Sequence, residues 1–150
     1  MTENDVVVSN RRAKRDYEIL HTLEAGIELK GTEIKSLRDR QASLNDSFAR
    51  IEKGEIYLYN FQVSPYKFGN IHNVDPMRVK KLLLHKSEIS SLFTKAQLKG
   101  HTLIPLSVYF KKGYAKVELA VAKGKKLHDR REEIKEREAK RDMDRAKRIK

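Results

Sequence analysis

Residues 102–122 carry the clearest alternation in the chain. Ile104, Leu106, Val108 and Phe110 fall on every second position, and Ala115, Val117, Leu119 and Val121 do the same. A period of two is the mark of half-buried strands, because successive side chains point to opposite faces. Lys111–Gly113 supplies the reversal, with Gly113 free to take a positive φ. The other faces carry Ser107, Tyr109, Tyr114, Lys116 and Glu118. The predicted hairpin is therefore apolar on one side and polar-aromatic on the other. Pro105 has no N–H to give to a ladder, so an edge or a bulge is expected there.

The rest of the chain repeats the theme less cleanly. Residues 1–9 read as a loose leader, within which Val6, Val7 and Val8 could pair briefly. Residues 16–23 predict a strand, Glu24-Ala25-Gly26 a tight turn, and residues 27–29 its return, which makes a first hairpin. After Gly31, Thr32 is the expected N-cap of a short helix. Glu33 stands in its first turn, where a negative charge suits the dipole, and Ile34 and Leu37 form its stripe. The helix should end near Arg40. Residues 47–51 and 55–63 predict a second hairpin about Lys53-Gly54, with Phe48, Ile51, Ile56, Leu58, Phe61 and Val63 inward. Tyr57 and Tyr59 share its other face, as base-stacking platforms or as amphipathic cover. Residues 64–78 read as a loop. They lead into a short buried run, Leu82 to Leu84. Ser87 is the expected cap of a helix carrying Ile89, Leu92, Phe93 and Ala96 at helical spacing and closing at Gly100. About six strands, two or three short helices and no βαβ alternation predict a mainly β (α+β) fold. Over residues 10–122 that fold is an antiparallel β-barrel of the oligonucleotide-binding type.

Residues 123–150 differ in kind. They contain no proline and, after Gly124, no glycine. Glu133/Arg137, Glu136/Lys140 and Asp144/Arg148 stand at helical i,i+4 spacing, each worth about 0.2–0.5 kcal/mol. The apolar residues Leu127, Ile134, Met143 and Ile149 are too sparse to anchor a packed helix, and an unpacked helix of this length is marginal. The tail is expected to be disordered when free and helical along a polyanion, whose phosphates would offset the ordering cost.

Charge sharpens this division. The 150 residues carry a net +12. Residues 123–150 hold 13 basic and 7 acidic side chains, so under a fifth of the length supplies half of the excess. Such a balance favours a nucleic-acid partner first and an anionic membrane second. The tail lacks the continuous apolar face that a membrane surface would require. The chain has no cysteine, which excludes disulfides and thiolate chemistry and is compatible with a reducing compartment. No secretory signal pattern opens it, and no apolar run approaches the roughly 20 residues of a spanning helix. A cytoplasmic protein is expected.

Catalytic patterns are missing. His21, His72, His85, His101 and His128 have no metal-ligand spacing, and no phosphate loop, dinucleotide fingerprint or nucleophile elbow occurs. Glu24, Glu28, Glu33 and Asp46 cluster loosely in sequence and suit capping or ion pairing better than acid–base work. Neither an enzyme nor a cofactor is expected. A sequence-indifferent single-strand binder and a carboxylate-based RNA-processing enzyme are the competing readings. The first would be displaced by any RNA of equal length; the second would turn RNA over with a divalent metal.

Three stretches, GTEIKSLR (31–38), DPMRVKKLLLHKSEI (75–89) and AKGKKLHDRR (122–131), resemble in order and spacing the signatures of the small protein B family. These are the bacterial tmRNA-binding proteins of trans-translation. The resemblance implies an adaptor that binds the tRNA-like domain of tmRNA and delivers it to the A site of stalled ribosomes. The charged complex would include elongation factor Tu bound to alanyl-tmRNA. It implies a monomer whose tail enters the empty decoding centre and mRNA channel, against small-subunit rRNA. The family's RNA-binding positions match Asn10, Glu24, Leu83 and Lys116, and the basic residues Arg11, Arg78, Lys80, Lys81, Lys123 and Lys125 are expected to join them. Glu24 cannot bind phosphate, so it would accept from a base or hold a basic neighbour. The decoding-centre motif matches His128, Asp129, Arg130 and Arg131. Departures are Arg130 for the usual Lys, Lys80 for Arg, Arg40 for Gly, and an acidic rather than basic leader.

Overall fold

Nine strands, three α-helices and one 3-10 turn (Asn70–His72) build the described residues of the computed structural model, which are 5–125 and Arg141. The readings made for His128–Arg131 and the tail beyond Lys125 lie outside them. Six strands close into a ring in which every neighbour is antiparallel. In ring order they are β8 (His101–Lys111), β4 (Phe48–Glu52), β5 (Glu55–Tyr59), β7 (Lys80–Leu83), β2 (Tyr17–Ile27) and β9 (Tyr114–Gly124), which pairs back to β8. β1 (Asp5–Ser9) lines the remaining edge of β8, and β3 (Ala42–Ser43) pairs with β6 (Gln62–Val63) as a separate ribbon. The expected antiparallel, barrel-like sheet is present. Its first strand begins at Asp5, ahead of the Asn10 boundary read from sequence, because three β-branched valines suit an edge position beside β8.

Both tight hairpins form as predicted. Lys53 (φ 51°) with Gly54 (φ 78°), and Lys112 (φ 52°) with Gly113 (φ 83°), are pairs of left-handed residues, whose twist matches that of the flanking strands. The core gathers Leu37, Ile56, Leu58, Phe61, Leu82, Val108, Val117 and Leu119, all under 2% exposed. Each buried large aliphatic of this kind contributes about 1.5–3 kcal/mol.

Pro105 marks a bulge in β8. It faces Leu119 while Ser107 faces Glu118, so Leu106 has no counterpart. One extra residue inverts the alternation. Leu103, Val108 and Phe110 consequently enter the main core, whereas Ile104 and Leu106 join Ala13, Ala120 and Ala122 in a second cluster. The single apolar face predicted for this strand is thus split between two.

Other expectations are corrected. Glu24-Ala25-Gly26 is no turn: β2 is an 11-residue strand that pairs with β9 from Tyr17 to Gly26, with one bulge between Ile19 and His21. Gly26 is needed for a different reason, since a Cβ there would lie 3.1 Å from Leu83 Cβ on β7. α2 (Gly31–Arg38) begins one residue before Thr32, and the Glu33 carboxylate accepts from the Lys30 N–H at 2.8 Å. The Thr32 hydroxyl instead reaches His72 O at 3.3 Å. α3 (Lys86–Ala96) is capped the same way, Glu88 accepting from the His85 N–H, so Ser87 is inside the helix. Phe93 remains 47% exposed, and Ile89 and Leu92 do the packing. α1 (Ala13–Asp16) is a single turn that seats Ala13 on the second cluster.

Candidate nucleic-acid interface

The barrel's outer surface places one residue from each of five strands in line. Leu83 (β7) faces Gly26 (β2), Gly26 faces Lys116 (β9), Lys116 faces Tyr109 (β8), and Tyr109 faces Val6 (β1). Directly paired residues share a face, so these five form a transverse row. Its outer ends, Leu83 and Val6, are half exposed. The next row runs Glu24, Glu118, Ser107, Ser9. Asn10 adjoins that row's end: its N–H donates to Leu106 O, and its side-chain amide donates to Pro105 O at 3.0 Å. Asn10 therefore pins the β8 bulge to the edge of the barrel. Arg11 beside it is exposed.

Glu24 organises the middle of this surface. Its carboxylate accepts from the Tyr109 hydroxyl at 2.6 Å and lies 3.5 Å from Lys111 Nζ. The Tyr109 hydrogen bond holds Glu24 below the ordinary carboxylate range; burial, the next largest effect, opposes it, and Lys111 and then Lys116 add to the lowering. Burial, and then Glu24 itself, push the Tyr109 hydroxyl well above its usual value, so it stays a donor. Glu24 thus fixes a ring and an ammonium, leaving Lys116 beside them with no protein ion pair among the described residues. What results is a fixed hydroxyl, two lysines and an exposed leucine on a rigid sheet. That combination can meet phosphates and the edges of a folded RNA.

On the other side of Leu83, Lys81 faces Tyr57 across the β5–β7 ladder and pairs with Glu55 at 3.4 Å. Tyr59 stacks on Phe48 with centroids 5.3 Å apart, and Arg50 covers both rings. Tyr59 also donates to Glu52 at 2.7 Å, which raises its own pKa. Its ring is therefore engaged by the protein's own side chains.

Lys80 does not share the face of Lys81. Strand alternation turns it inward, and it is 0% exposed. Its ammonium donates to Phe61 O and Arg78 O at 2.8 and 2.7 Å and lies 3.8 Å from the buried Glu33 carboxylate. Arg78 is committed to the same carboxylate through two nitrogens, at 3.1 and 2.6 Å. These two bases bolt α2 to β7; Lys80 cannot reach a phosphate from there. Lys123 and Lys125 are exposed at the barrel's far end, beside Gly100 and Asp16 respectively. The seven residue steps of β9 from Lys116 to Lys123 span about 23 Å. The structure thus brings Asn10, Glu24, Leu83 and Lys116 together and keeps Arg78, Lys80, Lys123 and Lys125 apart from them. Sequence reasoning placed Tyr109 next to Lys116 but missed its bond to Glu24, 85 residues away; only the β2–β9–β8 order brings the two together.

Among the described residues no group of histidines and carboxylates could hold a metal, and no helix is long and apolar enough to cross a membrane. The sequence profile of a family described as SmpB protein matches residues 7–149. An SsrA-binding protein from Caldicellulosiruptor saccharolyticus is 63% identical over 134 residues, covering 89% of this chain and 85% of that protein. Another from Pelotomaculum thermopropionicum is 59% identical, covering 94% and 92%. A chain of a solved structure presented as "tmRNA-SmpB: a journey to the center of the bacterial ribosome" superposes with a TM-score of 0.68 at 57% identity, covering 79% of this chain and 84% of that one.

Proposed function

The chain belongs to the SmpB protein family, which is one of RNA-binding adaptors and not of enzymes, and from that membership we propose that it is a tmRNA-binding adaptor of trans-translation. The barrel's transverse row grips the tRNA-like domain of tmRNA. Lys116 meets the phosphate backbone, Leu83 packs on a sugar or base face, and Asn10 and Glu24 hold the surface in shape. The protein acts in the cytoplasm as a monomer and escorts alanyl-tmRNA with elongation factor Tu to the A site of stalled ribosomes. Its tail, through His128, Asp129, Arg130 and Arg131, occupies the empty decoding centre. The imidazole stacks on a base and the arginines contact small-subunit rRNA. Lys123 and Lys125, at the tail's root, lie on that second partner's side of the molecule.

The observation that supports this most is the Glu24–Tyr109–Lys116 arrangement. It fixes a polar, cationic surface with no catalytic group in it. In filter binding at moderate salt, Lys116→Ala should weaken the tRNA-like domain about tenfold, as expected for one charge-assisted contact. Equal affinity would remove Lys116 from the interface. Displacement by any unrelated RNA of equal length would replace structured-RNA recognition with non-specific binding.

A further inference from the structure

A cavity of about 400 Å³ lies away from the row just described, where the end of α2 meets the loop after β6. Ser36, Asp39, Gln41, Ser64, Pro65 and Tyr66 line it. That volume is within the usual range for small-ligand sites, roughly 300–1,000 Å³. Behind its wall lies an anomaly. Ser36 is 1% exposed, and its hydroxyl has no hydrogen-bond partner among the described residues. A buried hydroxyl ordinarily finds one, and a helical serine usually bonds back to the preceding turn. The Asp39 carboxylate at the rim likewise has no protein partner among the described residues, although it belongs to a strongly basic chain.

The walls are preformed. Asn73 clamps the Tyr66 backbone from both sides, accepting from its N–H at 2.8 Å and donating to its carbonyl at 2.9 Å. Gly69 makes room for that clamp, since a Cβ there would lie 2.6 Å from the Asn73 carbonyl oxygen. Ser64 N–H donates to Gln41 O, which fixes the opposite side. Positive charge surrounds the mouth: Lys35 Nζ lies 5.6 Å from the Tyr66 ring centroid, and Lys67 Nζ lies 5.0 Å from that of Phe68. Phe68 is itself 69% exposed.

A ring held T-shaped against Phe68, a carboxylate acceptor and two flanking ammonium groups match one ligand chemistry. From this geometry we infer that the cavity binds an unpaired nucleotide of RNA, with guanine preferred. The base lies against Tyr66 and donates its N1–H and 2-amino group to Asp39, and the phosphate lies between Lys35 and Lys67. Guanine is the base that offers two adjacent donors to one carboxylate. Adenine and the pyrimidines offer no such pair. The inference rests on the reading of the chain as an RNA binder, but it uses none of the residues of the barrel row.

Titration of the full chain with guanosine 5′-monophosphate, followed by amide NMR, tests it. Shifts should centre on Ser36, Asp39, Gln41, Ser64 and Tyr66. Uridine monophosphate should bind at least tenfold more weakly, and Asp39→Asn should cost about tenfold for the guanine nucleotide, as one bidentate base contact would. Lys116→Ala should leave this titration unchanged, and Asp39→Asn should still bind the tRNA-like domain through the barrel row, which also shows that it folds. Crosslinking from Tyr66 to the tRNA-like domain or to a decoding-region rRNA fragment, reduced by Asp39→Asn, supports the site and identifies its source of RNA. Equal shifts with guanosine and uridine monophosphate, or none at these residues, overturns the inference. So does crosslinking that Asp39→Asn leaves intact with both RNAs. Neither result touches the Lys116 surface.

Discussion

Lys80 shows how much one side chain can decide. A lysine two residues after Arg78 and next to Lys81 reads as part of a cationic strand surface, and Lys81 is one. The pleat sends Lys80 the other way, into a site where burial lowers its pKa to about 8, with Glu33 opposing that shift and Arg78 adding to it. Its two backbone acceptors and the Glu33 carboxylate make the charge tolerable. The sign of the pH effect follows. Between about 8 and 10.5 the unfolded chain still holds a proton that the folded chain has released, so this group makes stability rise with pH across that window. Lys80→Met should abolish that rise. At neutral pH it should also cost about 1–3 kcal/mol, because Phe61 O and Arg78 O lose their donor. Urea unfolding at neutral and alkaline pH measures both. Parallel pH profiles for the two proteins would mean that Lys80 is not held as described. Nothing in the local sequence separates Lys80 from Lys81 except the parity of a strand whose start is set by pairing with β5 and β2.

Strand β2 makes the same point for a whole element. Glu-Ala-Gly is good turn chemistry, and read locally it closes a hairpin. What overrules it is non-local: β9 offers partners from Tyr17 through Gly26, and a long ladder outweighs a weak turn preference. The hairpins at Lys53-Gly54 and Lys112-Gly113 were legible because their turns and their partners are adjacent in sequence. The bulge at Pro105 was legible from the missing N–H, but not its consequence, since the inversion of faces shows only when β8 is set against β9. As candidate contacts Asn10 and Leu83 were legible through resemblance alone and Lys116 also from the polar face of its hairpin, and setting Leu83 and Lys116 on one row requires the β7–β2–β9 order. That row depends on Gly26. Gly26→Ala puts a methyl 3.1 Å from Leu83 Cβ, and β7, joined to β2 at only two register pairs, is the strand that must give way. We expect about 1 kcal/mol of destabilisation, together with weaker binding of the tRNA-like domain than that loss of stability explains. Thermal unfolding beside filter binding separates the two. A variant with lowered stability but unchanged affinity would show that the position of Leu83 is immaterial to recognition.

Across the whole molecule, charge and architecture divide the work. The barrel carries its surplus as scattered exposed bases over a folded surface, whereas residues 123–150 carry an equal surplus on under a quarter as many residues. β9 joins them: Lys116 lies on the row near one end, and Gly124 delivers the chain to Asp16 at the other, where Lys125 N–H donates at 2.9 Å. Two polyanions can therefore be engaged at opposite ends of one rigid strand without competing. This separation makes a quantitative demand on salt dependence. Each phosphate neutralised lowers the slope of log affinity against log salt by about 0.7–0.9. If the tail takes no part in holding the tRNA-like domain, removing residues 132–150 leaves both the affinity and that slope unchanged, despite the bases lost with it. Tagging of nascent chains on stalled ribosomes should nevertheless fall to background, because the decoding centre then has no occupant. A slope shallower by two or more in the truncated protein would place the tail on tmRNA itself. Tagging at the full rate would show that the barrel alone licenses rescue.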